Sequence, residues 1–324
     1  MSTGLGVAIP FWLDRPDEEA VEIAMTADRA GLDTVWVGEM HAFDAFALAT
    51  AIGLQTERIG LKVGPLPVGV RGPVSIALGV ASVATLTGRH VDVGLGASSP
   101  MIVSGWHDRP WSGVAGRMRE TALELRSLLD GERADFDGEH VHAHGFRLRR
   151  AQPRASLTIA AFGPALTRVA ARHADEVVLN LVSPEHVAEV RTVLDQEASA
   201  AGRPAPRLAV WVPTALDPGP GALAQLRGQL AVYLGAPGYG ELFTKLGFGE
   251  LVQRARAGEA RGELAARIPH ELVARIGAIG SAGEIGAQIT AFHDSGAEHV
   301  ALVPSTAEDT GAKKVLDGLA RETG

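Results

Sequence analysis

Cysteine is absent from the 324 residues, which excludes disulfides, thiolate zinc sites, thiolate-held iron–sulfur clusters and cysteine nucleophiles together. A reducing, cytoplasmic setting is the expectation. No apolar run is long enough to span a bilayer, and the opening MSTGLGVAIPFWLD has neither a basic start nor a long apolar core. Neither a membrane span nor a secretory leader is therefore expected. A basic surplus is missing too: the formal net charge is −8 and the pI about 5.8, which argues against a nucleic-acid partner. Lysine occurs only at Lys62, Lys245, Lys313 and Lys314, and the remaining side-chain cations are arginine. With heavy use of alanine and glycine, this is the bias of a GC-rich genome and carries no mechanism. The chain also lacks a Walker or dinucleotide glycine fingerprint, a low-complexity tract, and a linker that compels a domain boundary.

What is present is apolar material and rhythm. Hydrophobic residues make up 46% of the chain, enough for a sizeable core. Short β-branched runs alternate with alanine-rich amphipathic stretches from end to end, the pattern of βα units around a parallel sheet. Eight runs read as strands: Leu5–Ile9, Thr34–Val37, Ile59–Val63, Val91–Gly94, Leu157–Ala160, Glu176–Leu179, Leu208–Val212 and His299–Val303. Helix punctuation follows several of them. Pro16 and the acids Asp17, Glu18 and Glu19 open a helix that Gly31 closes; Gly72-Pro73 precedes a helix over Val74–Leu86; Ser183-Pro184 precedes one over Glu185–Ala200, with Gly202 as its stop. Eight strands favour a closed (β/α)8 TIM barrel, one α/β domain over 1–324 with insertions after strands four and seven, about 104–150 and 219–276. Within the first insertion Asp137-Gly138 reads as a hairpin turn, and the second reads as several short helices.

A barrel of this kind places its site at the C-terminal strand ends. Those ends carry Trp12 after strand one, Glu39, Met40 and His41 after strand two, Gly64 and Pro65 after strand three, Ala97, Ser98 and Ser99 after strand four, Ala161, Phe162 and Gly163 after strand five, and Trp211 on strand seven. The set is aromatic, rich in glycine and poor in charge, as a pocket for a flat heterocycle is. Glu39 and His41 are either an acid and base for proton transfer or two solvated loop residues. The Ala161–Pro164 turn is either an ordinary βα turn or, through free N–H groups at the following helix start and Arg168 one turn in, a phosphate seat. His140, His142 and His144 alternate on the predicted hairpin without a matching ligand set elsewhere, so solvated histidines are expected and no catalytic metal. Trp12, Trp106, Trp111 and Trp211 are packing residues or pocket walls.

Six blocks, taken together and in order, resemble the bacterial luciferase-like oxidoreductases: GLDTVWVGEMH at 31–41, TERIGLKVGPLPV at 56–68, VDVGLGASSP at 91–100, RMRETALELRSLLDGE at 117–132, LTIAAFGPALTRVAARHADEVVL at 157–179 and IGSAGEIGAQITAFHDSGAEHVALVP at 279–304. The likeness is to the branch that uses coenzyme F420, an 8-hydroxy-5-deazaflavin, rather than flavin mononucleotide (FMN). The resemblance implies a ring over the barrel mouth, braced by a strand-three bulge with a cis peptide at Val63-Gly64 or Gly64-Pro65. It implies contacts to the cofactor from Glu39, Gly64, Pro65, Ala97–Ser99 and Ala161–Gly163, with its phosphate after strand five near Arg168. It also implies a homodimer. This sequence departs from the family pattern in two places: Met40 stands where a histidine commonly follows the acid, with His41 next, and Ser99 replaces an acid found in some members.

The function expected is hydride transfer between F420 and a small organic substrate held by Trp12, Met40, Trp106, His107 and Trp211, with Glu39 or His41 managing a proton. Two alternatives stand beside it: an FMN-dependent monooxygenase using oxygen, and a cofactor-binding homologue without catalysis.

Overall fold

The structure, a computed structural model, describes residues 4–320. Its strands are β1 (Gly4–Ala8), β2 (Thr34–Val37), β3 (Gly60–Pro67), β4 (Val91–Gly96), β5 (Asp135–Asp137), β6 (His142–His144), β7 (Leu157–Ala160), β8 (Glu176–Asn180), β9 (Arg207–Leu216), β10 (Ala278–Gly280) and β11 (His299–Pro304). Hydrogen-bonded neighbours follow the order β10-β9-β11-β1-β2-β3-β4-β7-β8, with a further β9–β8 pairing. The eight parallel strands β1 to β4, β7 to β9 and β11 thus close into a (β/α)8 barrel, and all eight runs expected from the sequence are among them. Its strands are buried on both faces, with β11 an unbroken buried run, because helices cover the outside and side chains fill the inside.

Two strands, β3 and β9, run four residues past their expected ends for the same reason. Proline normally removes a ladder donor and ends a strand, yet β3 continues through Gly64-Pro65 and β9 through Pro213. In β3 the register with β4 slips between Val63 and Leu66, then resumes with Leu66 opposite Leu95. In β9, Pro213 lies opposite Val303, and β10 adds pairing at Thr214 to Leu216. Pairing to neighbours holds both chains extended where local preference alone would let them go.

The segment between β4 and β7 folds as a single π-helical turn (Met101–Trp106), a helix (Val114–Leu129) and the antiparallel β5–β6 hairpin. Between β9 and β10 lies a run of helices from Pro220–Tyr233 to His270–Ile276. The chain divides into two compact units: Met1–Leu32 with Leu179–Arg191 and Ala209–Gly324, and Asp33–Val178 with Thr192–Leu208.

In the second unit, two glutamates one turn apart on the Val114–Leu129 helix meet opposite fates under the hairpin. Both are buried, each 3% exposed. Glu120 accepts the backbone N–H groups of His140, Val141 and Glu139 at 2.7, 3.1 and 3.2 Å. Burial opposes its charge, but these donors outweigh it and hold its pKa below the usual carboxylate range. Glu124 lacks such donors; its Oε1 meets no hydrogen-bond partner, and burial pushes its pKa up. A raised carboxyl pKa means that the folded state prefers the protonated form, so this group favours folding in acid and loses that contribution as pH rises through the raised value. Glu124→Gln is therefore expected to raise stability at pH 7 by about 1 kcal/mol and to leave it nearly unchanged near pH 4. Glu120→Gln acts with the reverse sign, since a lowered pKa stabilises above the unfolded value. Paired thermal melts at the two pH values check both, and equal melting temperatures for Glu124→Gln and the parent at pH 7 would refute the assignment.

Candidate active site

Within the second unit, β2, β3, β4 and β7 lie side by side and parallel, with Val37 opposite Val63, Pro67 opposite Gly96, and Leu95 opposite Ile159. Neighbouring strands stand about 4.8 Å apart, so the register shift inside β3, where Gly64 and Pro65 lie within the strand and not after it, and the residues just past the C-terminal ends of β2, β4 and β7 share one edge. Glu39, Met40, His41, Gly64, Pro65, Ala97–Ser99 and Ala161–Gly163 are all brought to it.

The β3 bulge sits at the middle of that edge. The Gly64-Pro65 peptide is cis, one of the two bonds the resemblance allowed. Gly64 holds φ at +129°, and a Cβ built there would lie 2.3 Å from the Gly94 carbonyl oxygen. A Cβ at Gly96 would lie 2.9 Å from that of Pro65. Gly96 of VDVGLG is thus the counterpart of the bulge in LKVGPLP: β4 gives up a side chain there, where β3 presses against it.

Glu39 is engaged by a residue the sequence reading missed. Arg71 donates through Nε to Glu39 Oε2 at 2.7 Å and through Nη2 to Asp44 Oδ2, with its guanidinium 5.3 Å from the Phe46 ring centroid. Asp44 in turn caps the Ala45–Gln55 helix, accepting from Phe46 N and Ala47 N, both at 3.0 Å. Burial works against each charge, but the Arg71 hydrogen bonds raise its own pKa, and those from Ala47 and Arg71 lower that of Asp44. The available signal was a lone arginine four residues beyond β3, facing two acids in the loop beyond β2. His41 is exposed, and Met40 is 41% exposed.

Beyond β4, Ala97 and Ser99 are half-buried and Ser98 is exposed with φ +69°. The Ser99 carbonyl accepts from Ile102 N and Val103 N and so starts the π-helical turn. Buried Val103 anchors that turn, whereas Trp106 is 51% exposed and His107 is also exposed. Beyond β7, Ala161 is buried and half-buried Phe162 occupies the N-cap of the Gly163–His173 helix. That helix has no side-chain cap and no acid in its first turn. Gly163, at φ +76°, is exposed with nothing within 4 Å of a built Cβ. A helix start with neither a side-chain cap nor a first-turn acid is the setting in which an anion seat forms. Arg168 is exposed on the same helix.

Trp12 and Trp211 belong to the first unit. Trp12 Nε1 donates to the Pro304 carbonyl at 3.0 Å, and Trp211 lies on β9 opposite Ala301. Beside them is a network that the sequence reading also missed. Buried Gln225 accepts through Oε1 from Ser305 Oγ at 2.7 Å, Thr306 N at 2.9 Å and Ala307 N at 3.2 Å, while its Nε2 donates to Asp14 Oδ1 at 3.0 Å.

On the hairpin, His142 and His144 are exposed and pair with Asp137, at 3.2 and 3.1 Å. Among the described residues no group of three or more histidine or acidic side chains is arranged to hold a metal ion. Likewise among them, no helix is long and apolar enough to cross a membrane.

The sequence pattern of the luciferase-like monooxygenase family matches residues 9–299. The chain belongs to the luciferase-like monooxygenase family. This bears out the family read from the six sequence blocks, and the match runs through both units. Among relatives of this luciferase-like chain is a protein of Mycobacterium tuberculosis whose name assigns it, provisionally, to the coenzyme F420-dependent oxidoreductases; it is 25% identical, over 94% of this chain and 96% of its own. The F420-dependent tetrahydromethanopterin reductase of Methanopyrus kandleri superposes with a TM-score of 0.84 at 16% identity, covering 99% of this chain and 98% of that one. An FMN-bound type II Baeyer–Villiger monooxygenase component of Pseudomonas putida gives 0.72 at 15% identity, with the same coverage. At these identities the two structures share its fold.

Proposed function

We propose that this luciferase-like protein is an F420-dependent oxidoreductase that moves a hydride between the deazaflavin ring and a small organic substrate. The observation that carries the reading is the edge described above: a glycine-backed bulge between the β2 exit, which carries Glu39, and the uncharged β4 exit, with an uncapped helix start beyond β7. Gly64, Pro65, Ala97, Ser98, Ser99, Ala161 and Phe162 offer backbone and small side chains against which a flat ring can lie. The Gly163–His173 helix start, with Arg168, offers N–H groups and charge to a phosphate. The M. tuberculosis relative adds support for F420 over FMN.

When bound, F420 supplies the hydride chemistry itself. The chain's own part is to bind and orient the ring, exclude water, and hold a proton acceptor or donor at its edge. In this reading Glu39 accepts hydrogen bonds at the ring's rim and His41 exchanges protons with solvent. Met40, Trp106 and His107 meet the substrate. The protein acts as a cytoplasmic homodimer, for which the Ala45–Gln55 and Pro73–Thr87 helices offer an uncharged surface with Leu54, Leu78 and Leu86 exposed.

Titration of the purified protein with F420 and with FMN, followed by cofactor fluorescence, tests the assignment. Micromolar F420 binding at least tenfold tighter than FMN is the expected result. A preference for FMN with substrate-dependent oxygen uptake would replace it with the monooxygenase reading, and affinity for neither would end both.

A further inference from the structure

The ionic fork at the exits of β2 and β3 has no counterpart in the expected acid–base pair, and its geometry is that of a clamp. Arg71 leaves β3 through a tight turn, in which Val70 N and Arg71 N both donate to the Pro67 carbonyl at 2.9 Å. Its planar guanidinium then spans two acids from the loop beyond β2. Nε takes Glu39 and Nη2 takes Asp44, while one face covers Phe46. Phe46 is itself fixed, since a Cβ added at Gly79 would lie 2.4 Å from its ring. Side chains of Arg71 and Glu39 are only 20% and 16% exposed, so the pair is held largely away from competing water. A rigid fork of this kind fixes direction as well as charge, which a lysine ammonium does not.

We propose that Arg71 is the positioning residue of this site: it holds Glu39 and the Asp44 helix cap in one fork, and so sets where the β2 acid stands beside the β3 bulge. A carboxylate held by a guanidinium is a hydrogen-bond acceptor of fixed orientation. Glu39 then serves as an anionic rest for a donor on the bound ring or substrate, and proton exchange is left to His41 and solvent. The value of the clamp for cofactor binding rests on the F420 reading; the clamp itself does not.

The test uses the full chain with three variants. Arg71→Gln removes the fork, Arg71→Lys keeps one charge without it, and Asp44→Asn removes one prong while keeping a good helix cap. Amide hydrogen exchange at residues 39–41 is read without cofactor, and F420 affinity by fluorescence. Arg71→Gln is expected to speed exchange at 39–41 at least tenfold and weaken F420 binding at least tenfold. Arg71→Lys should recover less than half of either effect on a logarithmic scale, and Asp44→Asn should fall between Arg71→Lys and the parent. Unchanged exchange in both Arg71→Gln and Asp44→Asn overturns the clamp. F420 affinity equal to the parent in Arg71→Gln, with Glu39→Gln weakened, overturns the positioning role while leaving the site reading intact. If the parent binds no F420, the function reading fails and exchange alone decides the clamp.

Discussion

Gly64→Ala is expected to destabilise the protein by roughly 3 kcal/mol or more, the largest effect of any single methyl group added at this edge. Two costs coincide there. The backbone holds φ at +129°, a conformation that L side chains rarely adopt, and the new Cβ would lie 2.3 Å from the Gly94 oxygen and 2.8 Å from the Gly94 carbonyl carbon and Cα. All three contacts are to backbone of a central strand, which cannot move aside without breaking the β4 ladder. Gly163→Ala is the control: φ is +76° but nothing lies within 4 Å, so the cost should be about 1 kcal/mol. Urea unfolding of both variants separates the cases. A Gly64→Ala midpoint no lower than that of Gly163→Ala would show that the bulge relaxes and that the close approach of β3 to β4 is not enforced.

The second large effect is expected at the barrel interior, where Lys62 on β3 pairs with Glu176 on β8, their side chains 5% and 1% exposed. Thr158 Oγ1 donates to Glu176 Oε2 at 3.0 Å, Arg207 Nη2 lies 3.5 Å from Oε1, and the Lys62 ammonium stands 4.6 Å from the Trp36 ring centroid. Two charges this deep are costly to desolvate, and each is tolerable because the other is present. Lys62→Met leaves a buried carboxylate short of its main cation and should cost about 3 kcal/mol. Lys62→Met with Glu176→Leu removes both charges and should recover most of the loss, because an apolar pair of similar volume suits such a place. A double variant as unstable as the single one would mean that lost packing, not an orphaned charge, sets the cost.

The two effects differ in how much of them the chain announces. Lys62 was visible as one of four lysines, but its position inside a hydrophobic run gave no hint of a partner 114 residues away. Arg71 was equally plain, yet its meaning depends on Glu39 and Asp44 being folded against it from another strand exit. Gln225 sits in the Pro220–Tyr233 helix, and its three donors come from the loop after β11. In each case the signal is a polar side chain whose partners are remote in sequence, and no local pattern encodes that distance.

Periodicity and punctuation by themselves determined the places of the eight strands, the starts and stops of three helices, a hairpin near Asp137-Gly138, and the residues that follow β2, β4 and β7. Those features arise from backbone sterics, side-chain alternation and capping, all of which act within a few residues. Only the tertiary structure decided that β3 and β9 run on through proline, that Gly64 and Gly96 lack side chains where β3 and β4 press together, and that Glu39 pairs with Arg71. Those outcomes turn on strand register and on charge pairing across the barrel edge, and both are set by what packs beside a residue, not by what precedes it in the chain.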